Sequence, residues 1–256
     1  MTSPAVLVVG AGPAGLATAI QLARHHVPTL LVERRHAHSD LPRATVLSLR
    51  TMEFLRAWGL HDAVVAGGVE VDWHMLVCRT LSEAAEGEKV QVGYPSRAQS
   101  AVLSPSAPEC VAQDHVEPVL LEHLRTLPSA EVALGTELAD LALASDGVTA
   151  TLRDVASGAT RTVRAGWIVA ADGARSTIRE RLGIAVTGSD DVLGGVTATI
   201  RAPLWEVVGP HRHGIYSISH PEMPGIFLPA GAPDRWLIGF PGDETAPTEQ
   251  LSLIHI

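Results

Sequence analysis

The chain has 256 residues, 46% hydrophobic and 18% charged, with a formal net charge of -9. This supports a sizeable core in one or two domains and describes a globular chain, neither disordered nor fibrous. The acidic balance, with Lys89 the only lysine, argues against a nucleic-acid partner gripped through its phosphates. Two cysteines, Cys78 and Cys110, build no disulfide framework, so a reduced, cytoplasmic setting is expected. Residues 4–20 are apolar but lack the basic start of a signal peptide, and no other stretch is long and apolar enough to span a bilayer.

The first element is an apolar strand from Ala5, which runs into Gly10-Ala-Gly12-Pro-Ala-Gly15. Residues 14–25 follow with helical period, placing Leu16, Ala19, Ile20 and Ala23 on one face. A second strand then ends in Leu30-Leu-Val-Glu33. Strand, glycine turn, helix and acid-terminated strand, in that order, make a dinucleotide-binding βαβ unit. Gly10 suits the tight turn, Gly12 lets backbone approach a pyrophosphate, and Gly15 lets helix and strand pack closely. Pro13 and Ala14 open the helix, whose N-terminal N–H groups and dipole favour phosphate. Glu33 stands at the spacing of a ribose-binding carboxylate, and Arg34 adjoins it. The fingerprint alone does not choose between NAD and FAD.

Further along, residues 45–58 read as a helix with Leu47, Met52, Phe54 and Leu55 on a stripe. A short helix over 60–66 and a strand over 71–77 follow. Residues 81–108 are rich in Ser, Pro and Glu and read as loops with one short strand at most. A helix is expected over 114–127, with Pro118 accommodated in its first turn. Strands at 131–134, 138–144, 148–153 and 160–164 are joined by the hairpin turns Asp146-Gly147 and Ser157-Gly158. A compact strand at 167–170 precedes a helix over 175–182 capped by Gly183. Beyond Asp190 the pattern is β, with strands at 194–201, 214–219, 225–229 and 236–240.

A second constellation closes the strand Trp167-Ile-Val-Ala-Ala171: Asp172-Gly173-Ala-Arg175-Ser176-Thr-Ile-Arg179, entering a helix. It places a carboxylate and a flexible backbone at the carboxyl edge of a parallel sheet, where ligands of open α/β sheets collect. A plain turn with a helix cap is the simpler reading of the same residues. Pro42-Arg43-Ala44 before the helix ending at Trp58-Gly59, and Gln113 before the helix over 114–127, complete the set.

With these motifs the chain resembles the class A FAD-dependent aromatic monooxygenases, the para-hydroxybenzoate hydroxylase-like family, in its aromatic polyketide hydroxylase branch. The resemblance implies an α/β fold: a Rossmann-like FAD-binding (GR2-type) domain over 1–70 and 108–189. An interleaved, mainly antiparallel β substrate domain over 71–107 and 190–250 would be incomplete at the C-terminus. It implies FAD contacts from Asp172 and Gly173 at the pyrophosphate side, from Arg43 at the phosphate and ribose, and from Gln113 at the ribityl chain. A guanidinium suits the second role because its planar fork grips phosphate oxygens.

Implied too are NADPH or NADH as transient reductant, O2 as co-substrate, and a C4a-hydroperoxyflavin that hydroxylates a phenolic or polyketide-like ring. Trp205, Tyr216 and Phe227 are the expected aromatic wall for that substrate, or else ordinary core. No catalytic side chain is singled out. His211, His213 and His220 have a spacing that could suit a metal but lack partner ligands, so none is expected. The arginines 175, 179 and 181 read as a solvated helix face.

The likeness breaks near the end of the chain. The family's second G-D motif is not found, and Gly242-Asp243 is followed by Glu-Thr-Ala-Pro, which suits no helix start. Residues 251–256 read as a non-native tail, so a C-terminally truncated protein is expected. The rival readings are a FAD-binding fragment without turnover, and another flavoprotein such as a halogenase or prenyl-lipid reductase. A W-x-W-x-I-P segment typical of the halogenases is absent from the sequence.

Overall fold

The computed structural model describes residues 4–188, 195–231 and 234–241. The expectations placed on Asp190, on Gly242-Asp243 and on the tail over 251–256 lie outside them. In chain order the first elements are β1 (Val6–Val9), α1 (Pro13–Arg24), β2 (Thr29–Glu33), α2 (Leu49–Ala57), α3 (His61–Val65), β3 (Gly68–Val69) and β4 (Asp72–Cys78). Then come a 3-10 helix (Leu81–Glu86), β5 (Glu88–Gln91), α4 (Arg97–Leu103), β6 (Cys110–Val111), α5 (Gln113–Thr126), β7 (Ala130–Leu134), β8 (Thr136–Ala144) and β9 (Gly147–Asp154). The last are β10 (Thr160–Ala165), β11 (Trp167–Ala170), α6 (Thr177–Arg181), β12 (Gly195–Arg201), α7 (Leu204–Val208), β13 (His213–Ile218), β14 (Gly225–Pro229) and β15 (Arg235–Pro241). Contacts gather these into two compact units, Met1–Asp40 with Val116–Thr187, and Leu41–His115 with Gly188–Ile256.

The first unit is built on a parallel sheet in the order β11-β1-β2-β7. All four residues of β1 are buried, as expected of a strand covered on both faces, which needs no polar alternation. On one face Leu7, Val9, Leu30 and Val32 meet Ala150, Leu152 and Ala165 of the antiparallel sheet β10-β9-β8, together with Ile178 of α6. The other face carries α1, whose buried residues Leu16, Ala19, Ile20 and Ala23 are those the sequence period selects. Val6 pairs in register with both Trp167 and Thr29, so β1 lies between β11 and β2. That order brings the carboxyl end of β1 beside the carboxyl end of β11.

The second unit is a six-stranded sheet, β12-β15-β14-β13-β4-β5, antiparallel except where β13 runs parallel to β4. Alternation splits its side chains between two faces, apart from a register shift between His213 and Ile215 where β13 pairs with β4. Leu76, Cys78, Tyr216, Ile218, Phe227, Trp236 and Ile238 pack under α7 and the 3-10 helix. Tyr216 and Trp236 are fully buried, and the Trp205 ring packs against that of Trp236 at a tilt of 53°, centroids 4.5 Å apart. The Tyr216 hydroxyl donates to the His211 carbonyl at 2.8 Å and accepts from the His213 N–H at 2.9 Å. Trp205, Tyr216 and Phe227 therefore belong to a packed core, and Tyr216 has no surface to offer a substrate. The opposite face carries Met75, Val77, Ile215, Ser217, Ile226, Leu228 and Leu237, all at least partly exposed.

Several expected boundaries move. The helix expected over 45–58 starts only at Leu49, because the Ser48 hydroxyl caps it by accepting the Thr51 N–H at 3.2 Å. Leu47 is instead bridged to Glu109. Phe54 is 41% exposed and lies beside Trp58, under the Arg50 guanidinium, so it is not core. The segment read as loops holds β5, a 3-10 helix and α4, the last started by a Ser96/Gln99 capping box. Pro118 sits sixth in α5, beyond its first turn, where it cannot donate to the Asp114 carbonyl.

The His213 imidazole is buried, its Nδ1 3.0 Å from the His74 carbonyl. Burial is the first cause of its pKa being lowered from 6.5. As pH falls below 6.5 the unfolded chain takes up a proton that the folded one resists, so stability is full above that pH and declines beneath it. Asp72 adds a second window. Partial burial raises its pKa, but hydrogen bonds from His74 and Lys89 outweigh that and bring it from 3.8 to about 2. Its contribution is present above 3.8 and fades as pH drops through about 2. Thermal melts between pH 7.5 and 5 should show falling Tm, and His213→Gln should flatten that slope. Parallel slopes in the two proteins would remove His213 as the cause.

Candidate cofactor site

The glycine turn and the Asp-Gly turn are in van der Waals contact within the first unit. A Cβ on Gly10 would sit 2.2 Å from the Ala171 carbonyl oxygen, and the residue holds φ +107°. A Cβ on Gly15 would sit 1.8 Å from the Gly10 carbonyl oxygen and 3.3 Å from the Ala171 Cβ. The Ala171 N–H donates to the Val9 carbonyl at 2.9 Å, and the Gly10 N–H to that of Val32 at 2.8 Å. Gly12 differs: a Cβ there meets nothing within 4 Å. It is the N-cap of α1, no side chain caps that helix, and Pro13 occupies its first turn. The helix thus presents uncapped N–H groups above open space, a fit for an anion.

Glu33 closes the turn from the other side. Its Oε2 accepts the Ala11 N–H and its Oε1 the Arg35 N–H, both at 2.9 Å. Each oxygen keeps acceptor capacity for a ribose hydroxyl. Arg34 is exposed, and its side chain forms no ion pair or hydrogen bond among the described residues.

Asp172 is committed inward. Its Oδ1 accepts the Ser176 hydroxyl at 2.5 Å, and its Oδ2 accepts the Ile178 N–H at 3.2 Å. Partial burial pulls its pKa upward, but these bonds prevail and the net shift is downward. The carboxylate acts as a cap on α6, so this turn offers a ligand its backbone and the open space at Gly173, where a Cβ meets nothing within 4 Å. The arginines beyond it are not all solvated. Arg179 donates to the Ala174 carbonyl at 2.9 Å and Arg181 to that of Ala139 at 2.7 Å.

Arg43 and Gln113 belong to the second unit, where the structure brings their segments together. The Gln113 N–H donates to the Ala44 carbonyl at 2.8 Å, and the Leu47–Glu109 bridge extends the contact. Asp114 beside Gln113 pairs with Arg235 at 2.7 Å. The Arg43 side chain is exposed and makes no hydrogen bond or ion pair among the described residues.

The described residues contain no cluster of three or more metal-ligating side chains, and no helix among them is long and apolar enough to cross a membrane. Lys89 is held by Asp72 at 2.7 Å.

A strand-ended glycine turn under an uncapped helix, with an acid closing the next strand, defines a nucleotide-binding α/β unit. The FAD binding domain family matches residues 3–251, and the chain belongs to that family. Its sequence is 39% identical over 239 residues to aklavinone 12-hydroxylase DnrF of Streptomyces peucetius, covering 90% of this chain and 48% of that protein. It is 33% identical over 275 residues to the tetracenomycin A2 monooxygenase-dioxygenase of Streptomyces glaucescens, covering 95% of this chain and 47% of that one. The crystal structure of aklavinone-11 hydroxylase, a ternary complex with FAD and aklavinone, superposes with a TM-score of 0.83 at 33% identity. That match covers 98% of this chain and 49% of the other. The chain thus spans about half the length of the relatives it matches.

The three glycines separate by test. Gly12→Ala should leave the melting temperature within about 2 °C, since nothing is displaced, and weaken FAD binding at least about tenfold by blocking the approach of phosphate to the helix. Gly15→Ala should lower the melting temperature by several degrees, whether or not flavin is added. Calorimetry and flavin titration of both variants check this pair of outcomes.

Proposed function

We propose that the chain supplies the FAD-binding unit and part of the substrate-facing sheet of an NAD(P)H-using monooxygenase that hydroxylates an aromatic, polyketide-like ring. The observation that carries this reading is the contact of the two turns at Gly10–Gly15 and Ala171–Gly173, beside open space at Gly12 under an uncapped helix. Family membership and the hydroxylase and monooxygenase relatives support it.

When bound, reduced flavin would supply the activation of O2 and the transfer of one oxygen atom to the ring. The chain's own part is binding and placement. The α1 N-terminus would receive the pyrophosphate, its N–H groups supplying fixed dipoles. Glu33 would accept from the adenosine ribose while its other bonds hold the turn. Arg43, with a free guanidinium, would meet a phosphate, and the Gln113 amide would meet a ribityl hydroxyl without adding charge. Asp172 would hold the second turn in shape through α6 and leave its backbone facing the ligand. Met75, Val77, Ile215 and Leu228, on the open face of the six-stranded sheet, would give a flat ring an apolar surface that excludes water.

NADPH would act as transient reductant without a second glycine fingerprint of its own. Two buried free thiols, Cys78 and Cys110, suit a reducing cytoplasm.

Titration of the chain with FAD should show micromolar or tighter binding, with quenching or shift of the flavin spectrum. Glu33→Gln should weaken that binding about tenfold, the worth of one charge-assisted hydrogen bond. A chain that folds and leaves FAD unaltered would refute the proposal at its first step. For the reaction itself, a longer form carrying this sequence should oxidise NADPH and consume O2 when given a phenolic polyketide.

A further inference from the structure

Outside the motif residues, the first unit contains a buried polar pair with no evident core role. Glu117, on α5, has a side chain only 7% exposed, and its Oε2 lies 3.2 Å from Nδ1 of His38, itself 14% exposed. A carboxylate in that position is costly unless paired. The His38 Nε2 is also buried, with no hydrogen-bond partner among the described residues. His38 lies on the segment over 34–40 that leaves β2 directly after Glu33. The first half of that segment is held by the Gly135 N–H, which donates to the Arg35 carbonyl at 3.0 Å. Arg34, Arg35, His36 and Ala37 are exposed, and the chain turns inward again at His38.

We propose that the Glu117–His38 pair is a tie that positions the β2 exit segment, so that Glu33 and Arg34 meet the adenosine end of FAD. Both are positioning residues: they act through the segment and make no contact with the redox ring. This rests on the FAD reading above. The tie has a physical basis in α5, because one end of the pair is a side chain of a regular helix and the other is on irregular chain. Fixing a flexible segment before binding removes ordering entropy that the ligand would otherwise have to supply. The bond should survive replacement of the carboxylate by an amide, since Nδ1–H needs only an acceptor oxygen.

The test uses four variants: His38→Ala, Glu117→Ala, the double variant, and Glu117→Gln. Trypsin cleavage after Arg34 or Arg35 reads the segment itself and requires no flavin. Either alanine variant should be cut at least about fivefold faster than the parent, and the double variant no faster than the singles. FAD and ADP should each bind about tenfold more weakly to the alanine variants, by equal factors, with the spectrum of bound flavin unchanged. Glu117→Gln should retain most of the affinity and the slow cleavage, even if an alanine variant fails to fold.

Unaltered cleavage and unaltered FAD and ADP affinity in His38→Ala would overturn the tie. So would loss of FAD affinity with ADP affinity intact, since that places the effect at the flavin end. If the parent binds neither FAD nor ADP, the cofactor reading fails while faster cleavage in His38→Ala still supports the tie.

Discussion

The rest of the structure depends on one close approach, that of the Gly15 backbone to the Gly10 carbonyl and to Ala171. There is no room for a single methyl group at either glycine, so β1, α1 and β11 are locked at a spacing that ordinary residues could not reach. That spacing aligns two strand ends and sets an uncapped helix over them. Both halves of the candidate site thus share one origin. The parallel pairing of Val6 with Trp167 and Thr29 fixes the order, and the glycines let the turn close.

The two turns contribute in different currencies. The first offers helix N–H groups and a free approach at Gly12. The second offers backbone only, since the Asp172 carboxylate is consumed by Ser176 and the α6 N-terminus. A depressed pKa at Asp172 is therefore a sign of capping, and it would be a mistake to read it as a free anion waiting for a ligand. The same logic applies to Glu33, whose oxygens already hold Ala11 and Arg35. In both cases a carboxylate first organises the backbone, and whatever it does for a nucleotide is done from a fixed position.

The first unit was largely legible because its signals are local: an apolar strand, a glycine pattern, a 3.6-residue period, and an acid at a fixed distance. The hairpin turns at Asp146-Gly147 and Ser157-Gly158 were legible for the same reason. Reading failed where tertiary packing decides. For Trp205, Tyr216 and Phe227 the sequence leaves a substrate wall and ordinary core both open, because it does not say which face of a sheet is covered. Phe54 fell on an apolar stripe yet projects outward beside Trp58, since α2 is held through Met52 and Leu55. The α4 helix had a visible Ser96-x-x-Gln99 signature that a Ser- and Pro-rich composition masked. The Glu117–His38 pair carried no signal at all, being residues far apart in sequence on a helix and a loop.

Two faces of the six-stranded sheet have opposite fates for one reason. Alternation sends every second side chain to α7 and the 3-10 helix, and there the large aromatics are buried. Trp236 and Tyr216 are both fully buried, and the Tyr216 hydroxyl is bonded twice while the Trp236 indole N–H has no hydrogen-bond partner among the described residues. The remaining row, from Met75 through Ile215 to Leu228 and Leu237, is apolar yet incompletely buried. A strand facing water on that side would be expected to alternate with polar residues. Ser217 and the threonines of β12 do so, and Glu88, Arg201 and Arg235 stand at the margins of the same face, so the apolar row is confined to the middle of the sheet. This apolar row, on a sheet whose other face is already packed, is the surface that the function proposed above would set against a flat hydrophobic ring. On that proposal a substrate ring would meet aliphatic and thioether side chains, which adapt to a ring without competing with it for hydrogen bonds.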